Sequence, residues 1–359
     1  MAFSLLPTVT RPLKAFIRRR RATPSFSYKL NHQLNNANAI NIIYILHAYE
    51  HKAGGDKIIY QQAQIINQQF IGQVNGRILH PQNLNFEHRW FEHEVEFKKD
   101  LNLNPLQDFV VIPEIWAAPH AKMLHKLGIK YAIFVQNGYS IHIPQCLYPA
   151  EDIQFAYEKA AIILSISDDT SACISLIFPK CAPKIQRIYY SVDPNKFKPA
   201  PNKENLITYM PRKLAKHSGL VMSFIQNRLP SNWRIQAIDG LTESGVIALL
   251  NKSKIFLSFS EFEGCPLPPV EAALTGNYVI GYTGEGAKEY WQAPIFTEVA
   301  TGDIRDYTEQ ILAKIGDLDS HKNELETSAI QALSLRYSSS NENKSLAIFV
   351  KKVQQLLAT

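Results

Sequence analysis

The stretch EFEGCPLPPVEAALTGN, residues 261–277, sets two glutamates, Glu263 and Glu271, on either side of three prolines. Carboxylates belong on solvated faces, yet these two are flanked by Gly264, Cys265, Leu267, Val270 and Ala272. Upstream, KIFLSFS (254–260) reads as a buried strand. Downstream, VEAALTGN reads as a short helix. Pro269 suits its first position, where a missing N–H is no loss, and Gly276 with Asn277 suits its C-terminal cap. Glu271 is thereby expected in the first turn, at the carboxyl end of a strand, the edge at which open α/β sheets bind ligands. Two accounts compete. Glu271 compensates the helix dipole and Glu263 is a solvated loop residue; or both serve a ligand, with Gly264 letting backbone N–H groups face an anion.

Around this stretch the second half alternates strand and helix patterns: NLITYMP, SGLVMSFIQNRL, NWRIQAID, TESGVIALLNKS, KIFLSFS and NYVIGYTG. Its first strand runs into YMPRKLAKHSG, so Arg212, Lys213 and Lys216 follow a strand's carboxyl end. Cations there suit a diphosphate, Arg as a fork and Lys as a point charge; alone they would read as a solvated basic loop. The first half repeats the alternation. AINIIYILHAYE is a buried strand with one polar residue, Asn41, among its apolar ones; HKAGGDK, with Gly54 and Gly55, is a glycine loop; a helical pattern follows. The proline- and charge-rich KPAPNKEN (198–205) marks a boundary. The expected organisation is a basic arm and linker over 1–38, a Rossmann-like domain over 39–198, a second over 199–340, and a terminal helix, 341–358, returning to the first domain.

Length agrees, since 359 residues exceed one ordinary core. An apolar fraction of 46% with 19% charged residues is globular. Four scattered cysteines, Cys146, Cys173, Cys181 and Cys265, form neither a disulfide framework nor a zinc spacing, so no metal is expected and the compartment is reducing. The net charge of +6 resides in residues 1–21, which hold six basic residues and no acid, leaving 32 basic against 32 acidic residues elsewhere. Such an arm suits an anionic membrane surface, an organelle transit peptide or a solvated tail. The body carries no aromatic-interleaved basic surface, so nucleic acid is not an expected partner.

Four motifs in order resemble the retaining GT-B glycosyltransferases of the large family four. EFEGCPLPPVEAALTGNYVIG is similar to its two-glutamate signature, PRKLAK to its donor-phosphate motif, SVDPNKFKP to its interdomain exit, and GYTGEGAKEYW to the segment after the signature. The likeness is strongest over 193–290. It implies two Rossmann-like doubly wound α/β domains facing a cleft, and sugar transfer from a UDP-, GDP- or dTDP-linked donor, with retention and without a metal or cofactor. Glu263 would touch the donor sugar, Glu271 the ribose, and Arg212 and Lys216 the departing diphosphate. Lys213, Gly264, Cys265, Pro266, Leu267, Gly54 and Gly55 would line the donor. Pro211 stands where the family has Gly, Cys265 where an aromatic is frequent, and Lys216 one position early, so Lys213 is its rival. The forms MPRK and EGCPLPP resemble a bacterial surface-polysaccharide subgroup that includes rhamnosyltransferases. The acceptor would be a glycan or lipid-linked saccharide, which places the protein in the cytoplasm, peripheral to the inner face of the cell membrane.

The first half offers lesser candidates. FVQNGYSIH puts Gln136, Asn137, Tyr139 and His142 at a strand end, with Asn137 and His142 as candidate acceptor or sugar contacts. Asp169 is a helix N-cap or a base. FEHRWFEHEVEF reads as an amphipathic surface helix without metal spacing. Two other classes compete with sugar transfer: a nucleotide-sugar 2-epimerase on the same fold, and a non-catalytic sugar-nucleotide-binding scaffold.

Overall fold

The computed structural model describes residues 27–31, 39–50, 53–320 and 327–358. The basic arm lies outside the described residues. In chain order the elements are β1 (Lys29–Leu30), β2 (Ile40–Ile45), α1 (Gly54–Gln69), β3 (Val74–Leu79), β4 (Glu96–Phe97), β5 (Asn102–Leu103), β6 (Asp108–Pro113), α2 (Ala117–Lys126), β7 (Tyr131–Val135), α3 (His142–Gln145), α4 (Ala150–Lys159), β8 (Ile162–Ser165), α5 (Asp168–Ile177) and β9 (Ile185–Arg187). There follow β10 (Glu204–Tyr209), α6 (Ala215–Ile225), β11 (Arg234–Ala237), α7 (Glu243–Lys252), β12 (Ser253–Glu263), α8 (Leu267–Leu274), β13 (Tyr278–Glu285), β14 (Phe296–Glu298), α9 (Ile304–Asp319), α10 (Thr327–Arg336) and α11 (Ser339–Leu357).

Among the described residues two large parallel sheets form, beside a two-stranded parallel pair of β1 and β5. The first has seven strands in the order β4-β3-β2-β6-β7-β8-β9, the second five in the order β11-β10-β12-β13-β14. The order reverses between β2 and β6 in one sheet and between β10 and β12 in the other. Each reversal opens a crevice at the carboxyl ends of its strands, where α/β sheets receive ligands.

The apolar runs are continuous because both faces of each sheet are covered. Along β2, Ile42 and Tyr44 enter one core while Ile43 and Ile45 enter the opposite one. Asn41 is held rather than misplaced: its Nδ2 donates to Asp108 Oδ1 at 2.7 Å and its Oδ1 accepts from Asn75 at 3.2 Å. In the second sheet Phe256 joins the first core and Ile255, Leu257 and Phe259 line a third.

The first core does not stop at the first sheet. It continues through Tyr190, Tyr337 and Phe349 into Val270 and Ala273 of α8. α11 carries that continuity, with Phe349 against Phe109 at 6.0 Å between ring centres. Its Glu342 is fully buried and bridges three segments, with Oε2 accepting from Ser191 N at 3.1 Å, from the Ser191 hydroxyl, and from Gln61 Nε2 at 2.7 Å. Burial pushes the Glu342 carboxyl up to about 7, against the pull of these donors.

The segment expected as a surface helix is not one. Residues 86–95 are irregular, and His88 is buried among Tyr60, Phe86 and Phe91. Packing of these rings on α1 overrides the helical spacing, because an aromatic and histidine cluster buries more surface than one turn of an exposed helix would.

Glu342→Leu removes the acceptor that Ser191 and Gln61 share and leaves these half-buried groups only their 3.2 Å contact with each other. It should lower stability by about 1–3 kcal/mol, read as a reduced chemical-denaturation midpoint. An unchanged midpoint would remove Glu342 from the account of how the terminal helix is held.

Candidate functional site

The quoted stretch spans the carboxyl edge of the second sheet. β12 runs further than its apolar pattern, so Glu263 is its last residue rather than a loop residue. α8 starts earlier than expected, at Leu267, with Pro266 as an extended N-cap. The prolines explain the shift. Pro268 and Pro269 occupy the second and third helical positions, whose N–H groups have no partner within a helix anyway. Glu271 therefore lies in the second turn, beyond the reach of the dipole argument. The far end is capped as read: Gly276, at φ +84°, donates to Ala273 O at 2.9 Å, and Asn277 N to Ala272 O at 3.0 Å.

Glu271 is half-buried on α8. Burial pushes its carboxyl up to about 7; Lys57 pulls against this and Glu243 adds to it. Glu263 is ion-paired with Lys213. This pair joins the ends of β12 and β10 across the reversal of strand order. It borders a cavity of about 20 Å³, with Met210, Ser258, Ser260 and Pro269 among the lining. Leu214, next to Lys213, has φ +44° in the left-handed region. Such strain in a non-glycine residue is held only where the surroundings enforce it, and binding loops are common places. Arg212 and Lys216 are exposed, and neither is ion-paired among the described residues.

Pro268 and Pro269 line the cavity beside the pair, while Cys265 and Leu267 turn to the core. Cys265 Sγ accepts from Tyr190 OH at 2.9 Å and lies 3.5 Å from Tyr337 OH; Pro266 O accepts from Tyr290 OH at 2.9 Å. Leu267 packs on the first core. Only the backbone of Cys265, Pro266 and Leu267 is left to meet a ligand.

The two sheets meet at this loop. A Cβ on Gly264 would lie 2.2 Å from Gln136 O and 2.9 Å from Asn137 Cα. Asn137 Nδ2 donates to Phe262 O at 2.9 Å, while its Oδ1 accepts from Tyr139 N at 3.0 Å. Asn137, a candidate acceptor or sugar contact, ties the sheets together through its Nδ2, while its Oδ1 caps its own turn. Gly54 and Gly55, expected in a loop, are the first two residues of α1, and Gln136 Nε2 donates to Gly55 O at 2.9 Å. Above Gly54 there is open space. His142 is exposed at the start of α3, with Nδ1 against Tyr139 O.

Residues absent from the sequence-based site complete it. Lys57 of α1 reaches Glu243 of α7 at 2.6 Å, 186 positions away, and Lys196 shares that carboxylate at 3.2 Å. Glu114, buried at the end of β6, accepts from the backbone of the 136–137 turn, and burial pushes its carboxyl up to about 7. No local pattern announces these partners, because their spacing is set by the meeting of two sheets.

Paired sheets with facing carboxyl edges and a returning terminal helix have counterparts among solved structures. A lipopolysaccharide outer core galactosyltransferase, WaaB, superposes with a TM-score of 0.62 at 15% identity, covering 87% of this chain and 100% of that one. The fold is GT-B. HepE from Anabaena, in complex with UDP, gives a TM-score of 0.62 at 12% identity over 87% of this chain and 100% of its own. Sucrose-phosphate synthase from Thermosynechococcus elongatus gives 0.65 at 11% identity over 89% and 100%. No family model and no curated protein matches the sequence. Among the described residues no helix is long and apolar enough to cross a membrane.

Two outcomes follow from this GT-B cleft. The Glu271 carboxyl ionises near 4.5 when unfolded and near 7 when folded. Ionisation therefore favours the unfolded chain between those values, and stability falls as pH rises from about 4.5 to 7, then levels. Glu271→Gln should flatten this slope and raise the neutral-pH melting temperature by a few degrees, roughly 2–4 °C per kcal/mol recovered; parallel profiles for both proteins would contradict the buried carboxyl. Gly264→Ala should push the sheets apart at an overpacking cost of about 1–3 kcal/mol, seen as an increased radius of gyration with unchanged far-UV circular dichroism.

Proposed function

We propose that this chain is a glycosyltransferase that moves a sugar from a UDP-, GDP- or dTDP-linked donor to a glycan or lipid-linked saccharide, with retention and without a metal. The observation that carries this is the Lys213–Glu263 pair across the strand-order reversal, with half-buried Glu271 in the second turn of the helix that follows. An ion pair at the carboxyl ends of β10 and β12 holds both signs of charge where a sugar diphosphate would lie.

Cleaving a glycosyl–phosphate bond builds positive charge on the sugar and negative charge on the diphosphate. Arg212 and Lys216 are unpaired among the described residues, and Lys213 is released to the diphosphate when a ligand separates it from Glu263. These cations then neutralise the leaving group, aided by the dipole of α8, of whose first three residues only Leu267 has an N–H. Glu263, freed from Lys213, accepts from donor-sugar hydroxyls, and Glu271 accepts from the ribose. Retention is supported by the resemblance of the two-glutamate motif. UDP in HepE makes uridine the first base to test. The core galactosyltransferase among the neighbours favours a bacterial surface glycan as the product class. The six basic residues of 1–21 suit an anionic membrane at which lipid-linked acceptors reside.

Purified protein in EDTA, screened by thermal shift against UDP, GDP, dTDP and their sugars, should be stabilised by one nucleoside diphosphate; saturation at a hundred times Kd is worth about 2.7 kcal/mol. Arg212→Ala and Glu271→Ala should each lose at least about a hundredfold in turnover. No stabilisation of a folded chain by any of these nucleotides, or near-normal turnover in either variant, would overturn the assignment.

A further inference from the structure

Beside the donor loop lies a group of side chains that the roles above leave unused. Phe262 stands between Ser260 and Glu263, yet 58% of its surface is exposed. The ring lies near the end of β12, where the strand leaves the core and Glu261 is exposed as well, so its exposure counts only together with the groups around it. Its backbone is fixed, because its carbonyl accepts from Asn137. Its ring meets Tyr139 of the first sheet at 5.1 Å between centres and a 43° tilt. Tyr139 OH donates in turn to Asp169 Oδ1 at 3.0 Å. The other carboxylate oxygen, Asp169 Oδ2, is buried and has no hydrogen-bond partner among the described residues.

The surroundings of Asp169 are acidic on balance. Across the cleft, Glu285 has φ +69°, a conformation that non-glycine residues seldom hold, and it pairs with Lys288 at 2.7 Å. Glu289 is engaged by Arg187 at 2.7 Å and by Arg336 at 3.2 Å. The local cations are therefore already matched to Glu285 and Glu289, and Asp169 is left over. Burial, Glu285 and Glu289 raise its carboxyl above the ordinary range, with Tyr139 and Lys288 opposing.

Two tilted rings and one carboxylate oxygen without a partner make a familiar chemistry. Sugar C–H faces stack on aromatic rings, and a carboxylate accepts from adjacent hydroxyls. We propose that Phe262, Tyr139 and Asp169 form the acceptor subsite, and that it takes a neutral pyranose. The assignment presupposes sugar transfer in this cleft and names its acceptor class. The unmatched negative charge at Asp169 disfavours uronic acids and phosphorylated sugars, because a second anion would meet no free cation at this end of the cleft.

The test uses the full chain with saturating nucleoside diphosphate and two probes, methyl glucopyranoside and methyl glucuronide, followed by saturation-transfer-difference NMR. The neutral glycoside should bind at least tenfold tighter than the glucuronide. Phe262→Ala should weaken the neutral glycoside at least tenfold while keeping the nucleotide-induced thermal shift. Asp169→Asn should narrow the preference over the glucuronide to within about threefold. Equal binding of the two probes by the native chain, no glycoside binding while the nucleotide shift is present, or unchanged glycoside binding in Phe262→Ala would each overturn the subsite. Loss of the nucleotide shift in the native chain would instead overturn sugar transfer itself, which keeps the two failures apart.

Discussion

The approach of Gly264 to the backbone of Gln136 and Asn137 is the constraint on which the site depends. Two parallel sheets present their carboxyl edges to one another, and at this point no side chain fits between them. Gly286 repeats the constraint from the neighbouring strand, since a Cβ there would fall 1.9 Å from Gly264 O. With the backbone pinned, the flanking residues have few options. Glu263 is delivered to Lys213, Glu271 is carried into the second turn of α8, and Phe262 is turned outward. The hydroxyls of Tyr190, Tyr290 and Tyr337 clamp the far side of the same loop, so hinge, terminal helices and loop share one packing unit.

The cleft keeps groups that a purely stable protein would avoid. Glu114 and Glu271 have their carboxyls raised by burial to about 7. Leu214 and Glu285 hold positive φ angles, one at the end of β10 and one at the end of β13. These features gather at facing strand ends rather than scattering through the cores. Stability surrendered at one edge of a fold is the usual mark of a site built for a ligand. The cross-cleft pair of Lys57 and Glu243, being exposed, contributes at most about 1 kcal/mol; shape and the glycine contacts, more than charge, set how the sheets meet.

Much of this was legible in the sequence because it is local. Continuous apolar runs such as Ile42 to Leu46 announce doubly covered parallel strands, and Gly276 with Asn277 announces the α8 cap. The alternation of elements gives two α/β halves, and the order of motifs gives a GT-B arrangement. Local rules failed where tertiary contact overrode them. Three prolines suggested a helix start at Pro269, but orphan N–H positions tolerate proline, so the helix begins two residues sooner. The His88 to Val95 segment has helical spacing, yet its rings are more stable packed irregularly on α1. Pairs such as Lys57 with Glu243 have no sequence signature at all. Phe262 is the instructive case: set between Glu261 and Glu263 it drew no assignment from the sequence, and only its exposure beside Tyr139 marks it out.

The central claim is that the Lys213–Glu263 pair is the ligand-free form of a diphosphate site. A crystal structure of the chain with a bound nucleoside diphosphate tests it most directly. The account predicts phosphate oxygens within hydrogen-bond distance of Arg212 and of Lys213 or Lys216, the ribose on Glu271, and Lys213 withdrawn from Glu263. A nucleotide bound elsewhere, with the pair intact, would contradict it.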